Sequence, residues 1–66
     1  MRLVVDREDD ALHFCLDETG VVESEEVRPG VVLGFDGDGR AVGVEFLRIA
    51  ARASKDQLSF LYFQTG

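Results

Sequence analysis

Carboxylates cluster at two places in this 66-residue chain: residues 6–10 read DREDD, and residues 36–40 read DGDGR. Converging carboxylate oxygens bind Mg²⁺ or Ca²⁺, and paired carboxylates can act as acid and base. The first cluster could bind a cation only if Asp36 or Asp38 met it in space. We instead predict a structural role, because the side-chain oxygen of Asp6 can accept N–H groups of the following turn.

His13 and Cys15 lie on one face of a predicted strand, because they are two residues apart in an alternating run. They could ligate a metal or form a nucleophile–base pair. A zinc site needs three or four ligands, however, and the chain has no other His or Cys. A catalytic pair also needs direct contact and an orienting third group. We therefore expect a half-exposed His and a small buried thiol, with no cofactor, no metal site and no catalytic residue, hence no enzyme.

Alternating apolar residues predict an antiparallel sheet before residue 47. The DGDG turn should join residues 31–35 and 41–46 in a hairpin, and residues 18–20 also read as a turn. The acidic run 21–27 is typical of an edge strand. Short turns require antiparallel neighbours. The side chains expected to form one core are Leu12, Phe14, Leu33, Phe35, Val44 and Phe46.

From residue 46 the spacing of apolar residues becomes helical. The apolar helix face would comprise Phe46, Ile49, Ala50 and Ala53. A second face would be basic, formed by Arg48, Arg52 and Lys55. This basic face either meets solvent or contacts the acidic residues 23–26 of its own or a neighbouring subunit. Residues 58–63 are apolar throughout except Ser59, which fits a strand covered on both sides or a helical end.

The predicted fold is therefore α+β in a single domain, residues 1–66. It is an antiparallel four-stranded β-meander followed by a C-terminal helix and an apolar tail that could form an extra strand. A chain this short buries only about 60% of its unfolded surface. With one cysteine it has no internal disulfide, so we expect it to associate with itself, most simply as a homodimer. The interaction residues predicted beside the basic face are Leu58, Phe60, Leu61, Tyr62 and Phe63.

The net charge of −6 argues against direct contact with nucleic acid or an anionic membrane, and suits a basic protein partner. No apolar run approaches the roughly 20 residues of a membrane span. The first residues also lack the apolar core of a signal peptide. These features predict a cytoplasmic protein with a reduced thiol.

Residues 10–16 (DALHFCL) and 24–47 (SEEVRPGVVLGFDGDGRAVGVEFL), with Asp6 and Glu8 before them, resemble the small, mostly bacterial domain of unknown function 2283 family. Some relatives look like they are encoded beside small toxin-like proteins, so the resemblance implies an antitoxin or partner role. The expected function is a small acidic, self-associating protein-interaction module that could act as an antitoxin-like partner of a basic protein. The alternative is a small metal- or ligand-binding domain that uses the acidic loops.

Overall fold

The computed structural model describes residues 1–17 and 20–65, and it shows an α+β fold. The predicted turn at residues 18–20 lies largely outside the described residues. Strands and helices follow in the order β1 (Arg2–Asp6), β2 (Ala11–Cys15), β3 (Glu23–Arg28), β4 (Val31–Phe35), β5 (Ala41–Leu47), α1 (Ile49–Arg52) and α2 (Lys55–Thr65). The predicted class is confirmed, but within these described ranges the sheet has five strands instead of the predicted four.

The strand order is β1-β2-β5-β4-β3, with every neighbouring pair antiparallel. Only β3, β4 and β5 form a meander; the last strand, β5, then pairs with β2 and becomes the centre of the sheet. The predicted hairpin between residues 31–35 and 41–46 is confirmed, and so is the acidic edge strand, β3. The two strands with the weakest alternation, β1 and β3, lie at the edges, because an edge tolerates charge that a central strand does not.

The register aligns the apolar side chains of the central strands on one face of the sheet. Leu12 pairs with Phe46, and Val44 lies between Phe14 and Leu33. We call this side the apolar face; the opposite side, which carries His13, Cys15, Gly43 and Glu45, is the mixed face. The predicted core residues are therefore adjacent, except that a register shift after Gly34 pairs Phe35 with Ala41.

The apolar face is only partly covered. Among the described residues, those that are buried and hydrophobic are Ala11, Cys15 and Ile49, and no large side chain is fully buried. All six predicted core residues are half-buried. A compact monomer of 7.3 kDa exposes about 4,200 Å² by the usual scaling with mass, whereas this chain exposes 4874 Å². Its radius of gyration is 12.5 Å, against about 11 Å for a compact chain of this length.

The C-terminal region differs most from the sequence-based expectation. Strand β5 continues to Leu47, and Arg48 adopts a left-handed conformation with φ 53°. A helix therefore cannot run on from residue 46. Helix α1 is a single turn, and Ala53 returns to an extended conformation. The prediction that Phe46, Ile49, Ala50 and Ala53 share one helix face is therefore wrong, because the helical turn comprises Ile49–Arg52.

The apolar tail is helix α2, so an extra strand at this point is not formed. Ser54 caps the helix, because its hydroxyl oxygen accepts the N–H of Gln57 at 3.2 Å and its carbonyl accepts the N–H of Leu58 at 2.9 Å. Ser followed three residues later by Gln is a helix-start signal, which the spacing of apolar residues does not contain. No helix among residues 1–17 and 20–65 has the length and apolar character needed to cross a bilayer.

Candidate functional site

The acidic loop between β1 and β2 is held by hydrogen bonds that its carboxylates accept from backbone N–H groups. An oxygen of Asp6 accepts the N–H of Asp9 at 3.0 Å, as predicted for a structural turn. Asp10, at φ 54°, reaches much further: its carboxylate accepts the N–H of Ala50 at 3.1 Å, and its carbonyl accepts the N–H of Ile49 at 3.1 Å. This link to the start of α1 was not foreseen. The two carboxylates therefore serve the fold.

The second acidic cluster closes the β4–β5 hairpin. One oxygen of Asp36 accepts the N–H groups of Asp38 and Arg40, each at 2.9 Å, and the other pairs with Nε of Arg40 at 2.9 Å. These bonds, led by the backbone N–H of Arg40, hold the pKa of Asp36 below its usual value. Gly39 supplies the positive φ of the turn. No group of three or more His, Cys, Asp or Glu within the described ranges could hold a metal ion.

The mixed face carries the His and Cys that the sequence places together. His13 Nδ1 lies 3.9 Å from an oxygen of Glu45 on the neighbouring strand, and both side chains are partly exposed. Cys15 is 3% exposed and packs beside Gly43, as expected for a small buried thiol. A buried thiol is not an accessible nucleophile. A cavity of about 430 Å³ lies over this face, lined by Arg2, Val4, His13, Cys15 and Val21.

The three basic residues do not form one helix face. Arg48 precedes α1, Arg52 ends it, and Lys55 begins α2. Arg52 donates from Nη2 to the carbonyl of Pro29 and from Nε to the carbonyl of Leu47 at 3.2 Å. The guanidinium of Arg52 therefore joins the β3–β4 turn to the end of β5. A contact of these residues with a partner stays a prediction.

The predicted tail residues divide between two sides of α2. Leu58, Leu61 and Tyr62 are half-buried, α2 packs against β1, and the guanidinium of Arg7 lies 4.1 Å from the centre of the Tyr62 ring. Phe60 and Phe63 are 61% and 82% exposed. We call these two residues the outer ridge. Three of the five apolar tail residues thus help to attach the helix, and two remain open to solvent.

A second open apolar surface lies at one end of the apolar face. It is a groove of about 170 Å³, which we call the apolar groove. Leu16, at its rim, is 53% exposed. Sequence reasoning missed this groove because alternation predicts which residues share a face but does not show how much of that face is covered. The lining residues are Phe14, Leu16, Leu33, Ala41, Val42, Gly43 and Val44.

The edge strand β3 forms an acidic surface. Glu23, Ser24, Glu25 and Glu26 are all exposed. Glu26 accepts the N–H of Gly30 at 3.3 Å. Within residues 1–17 and 20–65, Glu23 and Glu25 make no ion pair. Among the residues that the structure describes, the outer edge of β3 therefore has no second neighbouring strand, and Glu23 and Glu25 have no cationic partner.

A family model described as "Protein of unknown function (DUF2283)" matches residues 3–49. The match covers almost all of β1, the other four strands and the first residue of α1, and leaves α2 outside. Searches of the curated proteins and of the solved structures found no match. Because the matched segment spans well over half of the sequence and follows the whole sheet, the chain belongs to the DUF2283 family of proteins of unknown function.

Proposed function

We propose that this protein is a non-enzymatic interaction module that associates with itself. The single observation that carries the proposal is the uncovered apolar surface: the apolar groove and the outer ridge are both open, and no large side chain among the described residues is fully buried. Contiguous apolar surface of this kind marks interaction sites in soluble proteins. Small chains without disulfides or metals commonly gain the missing stability by oligomerising.

Sedimentation velocity on the intact chain at micromolar concentration tests self-association. We expect the mass of a dimer. Replacing both ridge residues, Phe60→Ser with Phe63→Ser, should shift the protein toward the monomer, because it removes exposed apolar surface without touching the side of α2 that packs on β1. The matched control is Val22→Ser, which removes an apolar side chain that is 70% exposed outside α2. A monomeric intact chain, or equal behaviour of ridge and control variants, would refute the proposal.

A second proposal concerns the acidic edge. Strand β3 has a free backbone edge and the uncompensated carboxylates of Glu23 and Glu25, so it suits an extended basic segment of another protein that adds as a further strand. Two copies of β3 would repel each other. An antitoxin-like role in the cytoplasm, in which this module binds a basic protein, is the biological form of this proposal.

A synthetic peptide that alternates lysine and valine is a direct probe of the acidic edge. We expect NMR shift changes along β3, and binding that weakens as salt increases, because exposed charge pairs are screened. The variant Glu23→Gln with Glu25→Gln should lose binding. The control Glu8→Gln with Asp9→Asn makes the same change in net charge in the β1–β2 loop and should keep it. Shift changes confined to other strands, or equal loss in both variants, would contradict the proposal.

A further inference from the structure

Helix α2 is apolar on two opposite sides. Successive residues of a helix are rotated by about 100°, so Leu58, Leu61 and Tyr62 lie on one side, and Phe60 and Phe63 lie on the other. The first side is half-buried, and the second is the exposed outer ridge. Two aromatic side chains exposed next to each other on a helix form an apolar patch of the kind that marks an interaction surface. The outer ridge therefore calls for a cover that the described residues do not supply.

The apolar groove is the surface that matches this ridge chemically. Each of its lining side chains is apolar, and Leu16 stands exposed at its rim. A phenyl ring that enters the groove removes apolar area from water on both surfaces. Because no residue that lines the groove is charged, the ring displaces no water from a charged side chain of the lining.

The mixed face is a poorer match, although its cavity is larger. Arg2 and His13 line that cavity, and Glu45 lies beside His13. An aromatic side chain placed there would displace water from polar and charged side chains, which is unfavourable. Of the two concave surfaces described here, the apolar groove is therefore the one suited to Phe60 and Phe63.

We propose that the outer ridge of each chain docks in the apolar groove of a second copy, reciprocally, to form a two-fold dimer. This inference rests on the self-association proposed above and specifies its surfaces. Each chain carries one ridge and one groove, so one two-fold operation can satisfy both at once. Such an interface is closed, whereas a one-way contact of ridge with groove would continue into an open chain of subunits.

The available area agrees with a dimer interface of ordinary size. The chain exposes roughly 700 Å² more than a compact monomer of its mass would expose. Stable interfaces bury about 800 Å² on each partner. An interface of that size would bring the exposed surface of each chain close to that of a compact protein.

Disulfide trapping between two single-cysteine proteins tests the docking. One protein carries Leu16→Cys at the groove rim, the other carries Phe63→Cys on the ridge, and both carry Cys15→Ala. In the reciprocal dimer, neither protein alone brings two of these cysteines together. A mixed dimer brings residue 16 of one copy against residue 63 of the other. We expect a cross-linked dimer after mild oxidation of the mixture, and none in either protein alone.

Other outcomes separate this docking from self-association itself. Cross-linking of the Phe63→Cys protein alone would indicate helix packed on helix, and cross-linking of the Leu16→Cys protein alone would indicate sheet packed on sheet. Either result, with a dimer mass by sedimentation, overturns the docking and leaves self-association intact. A monomer mass overturns both. A dimer without any cross-link also overturns the docking.

Two controls keep the result interpretable. The variant Val22→Cys is exposed and lies outside the ridge and groove, so it should not cross-link with the Phe63→Cys protein. Native Cys15 is buried, so the experiment is repeated with Cys15 retained if Cys15→Ala lowers stability. The mixture should then give the same cross-link, and its absence in a folded dimer counts against the docking.

Discussion

Strand β5 and helix α2 both carry apolar residues on two sides, yet different interactions determine where they lie. Strand β5 has hydrogen-bonded neighbours on both edges, β2 and β4, and its residues from Val42 to Leu47 are all half-buried. Helix α2 satisfies its backbone groups internally and meets the rest of the chain mainly at α1 and β1. A strand is placed by backbone pairing, whereas a helix is placed only by side-chain packing. The family match, which covers the sheet and stops before α2, divides the chain at the same point.

The largest expected effect comes from truncating an aromatic side chain in the central strands. Phe14→Ala should lower the free energy of unfolding by about 3 kcal/mol, because it removes a half-buried ring that lies between Leu3 and Val44 of the neighbouring strands. At low protein concentration Phe63→Ala should change it by no more than about 0.5 kcal/mol, as is usual at an exposed position. Urea unfolding of both variants measures the difference. Equal losses would show that the helix and the strands depend on the same packing.

The next effect concerns the β3–β4 turn, where the sheet meets Arg52. Gly30 has φ +78°, and a Cβ added there would lie 2.8 Å from Nη2 of Arg52. Gly30→Ala should cost about 2 kcal/mol, because a left-handed residue with a side chain is strained and Arg52 must also move.

Two other glycines, tested in the same unfolding assay, separate the effect of left-handed backbone strain from the effect of the Arg52 contact. Gly39 shares the positive φ, at +82°, but has open space around it, so Gly39→Ala should cost about 1 kcal/mol. Gly37 has neither constraint, and Gly37→Ala should stay within about 0.5 kcal/mol of the native chain. If Gly30→Ala costs no more than Gly39→Ala, then the Arg52 contact contributes nothing to the turn.

A smaller effect should be confined to α2. Ser54→Ala removes the cap that accepts the N–H of Gln57 and should destabilise the helix by about 1 kcal/mol. Hydrogen exchange should speed up in α2 and change little in β5, if the helix opens separately from the sheet. Ser59→Ala, at an exposed position inside α2, is the control and should not speed exchange. Faster exchange throughout the sheet would mean that helix and sheet unfold together.

The smallest expected effect is a pH dependence at the β4–β5 hairpin. Because the pKa of Asp36 is lowered in the folded chain, its charged form stabilises the fold above the ordinary value of 3.8, and this contribution is lost as the pH falls through the lowered pKa. The melting temperature should therefore exceed that of Asp36→Asn at neutral pH, and the gap should shrink in acid. Asp38→Asn changes an exposed side chain that lies 3.4 Å from Arg40. This variant should differ less from the native chain in melting temperature at neutral pH. If the difference in melting temperature between the native chain and Asp36→Asn widened in acid, the stabilising role of the Asp36 carboxylate would be contradicted.

The individual strands and their shared face were more predictable than the order of the strands in the sheet. Alternation and the DGDG turn predicted the paired strands β4 and β5 and the shared face of Leu12, Phe14 and Val44, because these depend on short-range spacing. The pairing of β2 with β5 joins segments far apart in sequence, and no turn length specifies it. The bonds from Asp10 to Ile49 and Ala50 were missed for the same reason.

The candidate site was predictable in composition but not in arrangement. The sequence indicated that residues 58–63 form an apolar interaction segment and left strand or helix open. The cap at Ser54 could have favoured the helix, since Ser with Gln three residues later satisfies the first N–H groups of a helix. The division of the tail into Leu58, Leu61 and Tyr62 against Phe60 and Phe63 then follows from helical geometry. The packing of α2 against β1 does not follow from helical geometry.

The sequence by itself determined the α+β class, the acidic edge, the two Asp-based turns and the small buried thiol. Each depends on residues within a few positions of one another, where backbone geometry leaves few choices. Only the tertiary structure decided that β5 is central, that α1 ends after one turn and that the apolar face is left partly open. These depend on how much surface distant segments cover, and covered area is a property of packing that alternation does not encode.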